Sequence, residues 1–99
     1  MTRVALSEWQ RALQDADDLT ATEHHVALAV AAHMRDEIGD EANCWPSADA
    51  LAAETNRRRR TVYEALAGLE SKGLIHRERR PGAMSIIWAT VNPIQETNT

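Results

Sequence analysis

Ninety-nine residues, 43% of them hydrophobic, suffice for one small domain with a thin core. No apolar run approaches the ~20 residues of a membrane span, and a single cysteine, Cys44, excludes an internal disulfide. The net charge of −4 hides an uneven distribution: residues 1–54 hold three arginines against eleven acids, a balance of −8, whereas residues 55–99 hold seven arginines and Lys72 against four acids, a balance of +4.

Leu6, Trp9 and Leu13 recur at helical spacing, which predicts a short amphipathic helix from about Ser7 to Ala16, with Ser7 available as its cap. Its stripe either covers the next helix or makes a homodimer contact through Trp9 and Leu13. Asp15, Asp17 and Asp18 read as a solvated connector, with a metal or partner patch as the alternative. Thr20 and Glu23 have the spacing of a capping box, and the helix they open is predicted to run to about Glu37, before Gly39. Val26, Val30, Met34 and Ile38 mark one face of it, Leu28 and Ala32 another. A helix apolar on most sides is expected to be buried on most sides, as a central scaffold.

Asp40 to Pro46 reads as a loop. Ser47 offers an N-cap for a short helix, Ala48 to Glu54, that turns Leu51 and Ala52 inward. Thr55 to Arg57 is a turn in which Asn56 tolerates the left-handed conformation. The next helix spans about Arg59 to Lys72, with Val62, Ala65, Leu66 and Leu69 inside and Gly73 as its stop. Leu74 to Arg79 and Met84 to Val91 are predicted strands around an Arg80-Pro81-Gly82-Ala83 turn. From Asn92 the chain is a polar, frayed tail.

Positive charge concentrates in two short places, Arg57 to Arg60 at the start of the long helix and Arg77 to Arg80 in the hairpin. Nucleic-acid binding needs a basic face rather than a basic protein, although acids and bases could instead pair within the fold. On a helical wheel Arg60, Glu64 and Ala67 point away from the inner stripe, flanked by Arg59 and Tyr63 on one side and by Thr61 and Gly68 on the other. Long side chains at the N-terminal end with small ones beyond suit insertion into a major groove. Arg59 and Arg60 are the candidate base contacts, since a guanidinium can bond guanine O6 and N7 together. Tyr63 is placed for a phosphate or a thymine methyl. Arg57, Arg58 and Thr61 are assigned to the DNA backbone. Glu64 shares this face, where an ion pair with Arg60 is its alternative use. In the hairpin, alternation puts Arg77 and Arg79 on one face and Arg80 at the tip; the alternative is a solvated hairpin in which Glu78 pairs with neighbouring bases. With both clusters engaged, about six phosphates are neutralised, at a salt slope of about −0.9 for each.

Helix, helix, short helix, turn, longer helix, hairpin is the layout of a winged helix-turn-helix. The residues Trp45-Pro46-Ser47, Arg60-Thr61-Val62 and Leu69-Glu70-Ser71-Lys72-Gly73-Leu74-Ile75 resemble the winged helix-turn-helix family common in phages, plasmids and actinobacterial mobile elements, over about residues 20–91. The resemblance implies a fold that is mainly α with a small β-hairpin, carrying an extra N-terminal helix. The expected organisation is residues 1–19 for packing or dimerisation, 20–91 for DNA binding and 92–99 as tail. It implies sequence-specific binding of double-stranded DNA by a small transcription regulator. A replication or excision accessory protein is also compatible, as is a protein-interaction module (antirepressor or host-factor binder) whose acidic half mimics nucleic acid. The family usually places a small apolar residue in the turn and a capping Ser or Thr before the third helix; Arg57 and Arg58 stand there, which lowers stability and adds charge.

Neither a nucleophile elbow nor a phosphate loop is present, so no enzyme is expected. His24, His25, His33 and Cys44 are metal-competent, but His25 and His33 lie two turns apart, too far to share an ion. No metal, cofactor or effector is expected. With a lone thiol and no secretory signal, the bacterial cytoplasm or nucleoid is the expected compartment.

Overall fold

Side chains that accept the first free amides of a helix decide where two of the helices begin. In the computed structural model, which describes residues 2–34, 43–44, 46–80 and 82–91 (Thr2, Arg80, Ala83 and Met84 by their backbone alone), Thr20 Oγ1 accepts from Glu23 N and Glu23 Oε1 accepts from Thr20 N, both at 3.0 Å. This capping box opens α2 (Ala21–His33). Ser47 Oγ likewise accepts from Ala50 N at 3.0 Å and opens α3 (Ala48–Thr55). Before them come β1 (Thr2–Arg3) and α1 (Leu6–Asp15); between them lies β2 (Asn43–Cys44); after them follow α4 (Arg59–Ser71), β3 (Ile75–Arg80) and β4 (Ala83–Val91).

The helix ends depart from the sequence expectation in instructive ways. α1 starts on Ala5 with no side-chain cap, so Ser7 lies inside the helix and caps nothing. α2 ends at His33, because Met34 is already extended at ψ 147°; the rest of the expected helix, with Ile38, lies outside the described residues. α3 gains a residue because Thr55 Oγ1 bonds back to Leu51 O at 2.7 Å. Asn56 then takes the left-handed conformation at φ 55°, as anticipated for a tight turn between two helices. Gly73, at φ 78°, stops the chain after α4.

The core joins α1, α2, α3, α4 and the sheet. Trp9, Val26, Val30, Val62, Leu69 and Ile75 are fully buried, with Leu13 and Leu51 almost so. Trp9 Nε1 donates to Leu74 O at 2.6 Å, which satisfies the indole inside the core. Trp9 and Leu13 are therefore held in the chain's own interior, and these two side chains offer no surface for a dimer. Not all of α2 is covered, contrary to expectation. Its Val26, Ala27, Val30 and Ala31 face other elements, but Ala32 is exposed and Leu28 is 55% exposed.

β4 is the hub of an antiparallel sheet. It pairs with β3 from Ile75↔Ala89 to Arg80↔Ala83, with β2 at Asn43↔Trp88 and Cys44↔Ile87, and with β1 at Thr2↔Val91 and Arg3↔Thr90. Ile87 and Trp88 have partners on both sides, so β4 is internal there, which accounts for the unbroken apolar run through Ile86, Ile87 and Trp88. Sequence periodicity anticipates the hairpin alone; two-residue strands are too short to leave a pattern. The architecture is mainly α with a small sheet, the arrangement of a winged helix-turn-helix.

Candidate nucleic-acid interface

α3, the turn at Asn56 and α4 place the arginine run at one exposed corner. Arg58 is the N-cap of α4, extended at φ −77° and ψ 152°, and its side chain makes no capping bond. No acid lies in the first turn either. Serine or threonine at an N-cap is typically worth ~1 kcal/mol, and cations at the positive end of the helix dipole cost a further few tenths. What folding loses here, an anion regains: open amides, the dipole and guanidinium groups all favour negative charge.

The four arginines are not equivalent. Arg57 is half-buried, folds back over α2 with Nη2 3.4 Å from His25 Nδ1, and leaves Nε buried with no partner among the described residues. Its backbone N–H donates to Ala52 O at 3.0 Å, which closes the turn. Arg58 is exposed. Arg59 Nε lies 3.1 Å from Asp49 Oδ1, and a hydrogen bond with Tyr63, then the Asp49 charge, push its pKa further up. Arg60 Nε is 3.4 Å from Glu64 Oε2, with 89% and 67% of the two side chains exposed. The same-helix pair is thus formed, but at that exposure it stabilises by only ~0.2–0.5 kcal/mol and competes poorly with a phosphate. Tyr63 is 48% exposed and Thr61 half-buried.

In the hairpin the outcome divides again. Arg77 is pinned: its Nε and Nη2 each lie 2.9 Å from Glu70 Oε1, its N–H donates to Glu70 Oε2 at 3.1 Å, and only 17% of its side chain is exposed. It ties β3 to the end of α4. Burial acts to raise the Glu70 pKa, but these bonds and the Arg77 charge outweigh it and hold the carboxyl below its ordinary value. Arg79 is exposed, at an irregularity in the β3–β4 register, and has no partner among the described residues. Arg80 is the last residue of β3, and its side chain lies outside the described residues. Glu78 accepts from Trp88 Nε1 at 3.0 Å, and Arg3 stacks over the Trp88 ring at 3.9 Å. Between α4 and the hairpin is a cleft of about 360 Å³, floored by Leu51, Leu66 and Ile87 and rimmed by Arg59, Tyr63 and Ser85.

A profile of helix-turn-helix domains matches residues 17–75, more than half of the chain. The chain belongs to the helix-turn-helix domain family. Among curated proteins, Protein YmfN of Escherichia coli (strain K12) is 35% identical over 54 residues, 54% of this chain and 12% of that protein. The chain therefore corresponds to a small part of that relative's length. No solved structure matches the chain significantly. No helix among the described residues is long and apolar enough to cross a membrane.

Within this helix-turn-helix domain, three acids whose ion pairs the sequence does not announce organise the basic residues. Glu23 receives Lys72 Nζ at 2.5 Å, while Lys72 also donates to Asp18 O at 2.7 Å. Burial acts to raise the Glu23 pKa; Lys72 and the Thr20 amide outweigh it and hold it below its ordinary value. A Cβ on Gly68 would collide with the Glu23 carboxylate, so a small residue here seats an acid. Glu70 holds Arg77, and Asp49 holds Arg59. Glu70 is seven residues from its partner, and Asp49 and Glu23 lie on other helices, so helical spacing announces none of them. Of the remaining polar candidates, His33 Nε2 sits 2.8 Å from Glu54 Oε2, and Cys44 is packed beneath Val30 O with its thiol pushed up to about 12 by burial.

Proposed function

We propose that this helix-turn-helix domain binds double-stranded DNA sequence-specifically and without catalysis, as a small transcription regulator of phage or mobile-element type in the bacterial cytoplasm. The observation that carries this reading is the start of α4. An uncapped helix N-terminus surrounded by Arg58, Arg59 and Arg60 lowers the stability of the fold and favours a polyanion. The first turns of α4 enter the major groove, where Arg59 and Arg60 meet base edges and Tyr63 a phosphate or a thymine methyl. Arg58, Thr61 and, from the hairpin, Arg79 hold the backbone. Arg77 falls out of this interface, because its guanidinium is paired with Glu70 and mostly buried, and half-buried Arg57 leans toward His25 instead. With two cations, Arg58 and Arg79, left to meet phosphate, the logarithmic salt slope is about −1.8, shallower than a count of every arginine suggests.

Fluorescence anisotropy with a pool of labelled random duplexes, across a salt series, tests this. Wild type should bind in a salt-sensitive manner, and an Arg59→Ala/Arg60→Ala variant should bind more weakly. An absence of binding at low salt sinks the reading and turns attention to a protein partner for the acidic half.

A further inference from the structure

Arg59 and Arg60 are neighbours with the same chemistry, yet they are held differently. The partner of Arg60, Glu64, sits on the same exposed helix and is itself 67% exposed. The partner of Arg59 comes from another element. Asp49 lies in the first turn of α3, which is fixed by the Ser47 cap and by Leu51, 1% exposed in the core. Its Oδ1 engages Nε of Arg59 at 3.1 Å, with 62% and 75% of the two side chains exposed, so the pair is set by α3 and not by the helix that carries the arginine. With Nε paired to Asp49, the two terminal nitrogens are the atoms left to bond guanine O6 and N7 together.

We propose that Asp49 is a specificity-determining residue, one that braces Arg59 as the guanine reader of this domain. The inference rests on the DNA-binding reading above and deepens it. A carboxylate at a DNA-facing corner repels phosphate wherever the protein lands. At the cognate site, a bidentate bond made by a pre-set Arg59 offsets that repulsion, and elsewhere nothing does. Asp49 therefore widens the gap between specific and non-specific binding without contacting a base. It also neutralises Arg59 in the free protein, so that this arginine contributes little to non-specific counterion release.

The test uses a duplex selected by wild type from the random pool, the same duplex with its contacted guanine replaced, and an unrelated duplex, all measured across a salt series. Asp49→Asn should bind the unrelated duplex more tightly, with a salt slope steeper by about one phosphate, or −0.9. Its preference for the guanine should fall by about ten-fold, the scale of one bidentate base contact. Glu64→Ala should shift all three duplexes by a similar factor and leave the preference unchanged. In an Arg59→Lys background, which keeps the charge and removes the fork, Asp49→Asn should cause no further loss of preference; this comparison is internal to DNA binding, and thermal melts confirm that each variant is folded. Equal tightening on all duplexes would reduce Asp49 to a source of repulsion, and no change would make it a solvated surface pair; either outcome overturns the proposal. Wild-type binding without any sequence preference overturns it while sparing DNA binding, whereas no binding at all removes both.

Discussion

At its N-terminal end α4 begins on Arg58 with no side-chain acceptor, and its first-turn cations are matched only by exposed partners, Asp49 and Glu64. At its C-terminal end almost every polar group is paired in a half-buried setting. Lys72 meets Glu23 and Asp18 O, Arg77 meets Glu70, Thr90 Oγ1 meets Gly73 O at 2.8 Å, and Leu74 O receives Trp9. The two ends of one helix of thirteen residues thus border both kinds of charge. Ion pairs that fold the protein are protected from water, and ion pairs at the end that meets DNA are left in it. The difference teaches which arginines to count: position along the helix says less than what the guanidinium already touches.

The comparison breaks most sharply by reversing charge at the open end. Arg59→Glu/Arg60→Glu should weaken DNA binding by a hundred-fold or more, on the scale of ~1–3 kcal/mol for each bidentate contact, while the melting temperature stays within a few degrees. A large loss of stability would show that these exposed pairs hold the fold after all. The converse experiment removes Glu23. Glu23→Ala takes away a capping acceptor and strands Lys72, so a loss of about 2–3 kcal/mol is expected, a fall in Tm of about 10 °C or more for a domain of this size. DNA affinity of the folded fraction should not change.

The same end predicts the response to acid. Glu23 and Glu70 both titrate below their ordinary value in the folded state. A depressed folded pKa means that the unfolded chain takes up protons first. Their stabilisation is therefore complete above the ordinary carboxylate range and is lost as pH falls through the lowered values, below about pH 4. Urea melts of wild type across pH 3 to 6 should show this loss, and Glu23→Gln and Glu70→Gln should each flatten it. A smaller and opposite effect is expected at the open end. Arg58→Ser restores a capping hydroxyl to α4 and should raise stability by ~1 kcal/mol, with a salt slope shallower by about one phosphate.

Much of the fold is legible in the residues themselves. The capping box at Thr20 and Glu23, the Ser47 cap, the left-handed Asn56 and the Gly73 stop are local devices, each announced by one or two side chains at fixed spacing. The inner stripe of α4 follows from periodicity for the same reason. What escapes is long-range. Nothing in the spacing of Leu28 says that its face of α2 stays open, because coverage depends on where other helices come to rest. β1 and β2 are too short to leave a pattern. In the interface, exposure of Arg59, Arg60 and Tyr63 can be read from a wheel, but the approach of Arg57 to His25 and the capture of Arg77 by Glu70 depend on tertiary structure.

Gly68 offers the finest test of the division, because two explanations of one small residue make opposite forecasts. As a residue kept small for a DNA groove, Gly68→Ala should raise stability by the ~1 kcal/mol that alanine gains over glycine inside a helix, and should weaken DNA binding. The structure gives Gly68 another neighbour, the Glu23 carboxylate, which Thr20 and Lys72 hold in place and which an added Cβ would strike. Displacing that carboxylate costs about as much as, or more than, the helix propensity returns, so Gly68→Ala should lower stability slightly, by about 0.5–1 kcal/mol. In a Glu23→Ala background the obstruction is gone, and the same substitution should become stabilising by ~1 kcal/mol. Denaturant melts of the four proteins in this cycle read the change of sign directly. DNA affinity unchanged throughout would assign Gly68 to the closed end of the helix, and a gain in stability in both backgrounds would return it to the open one.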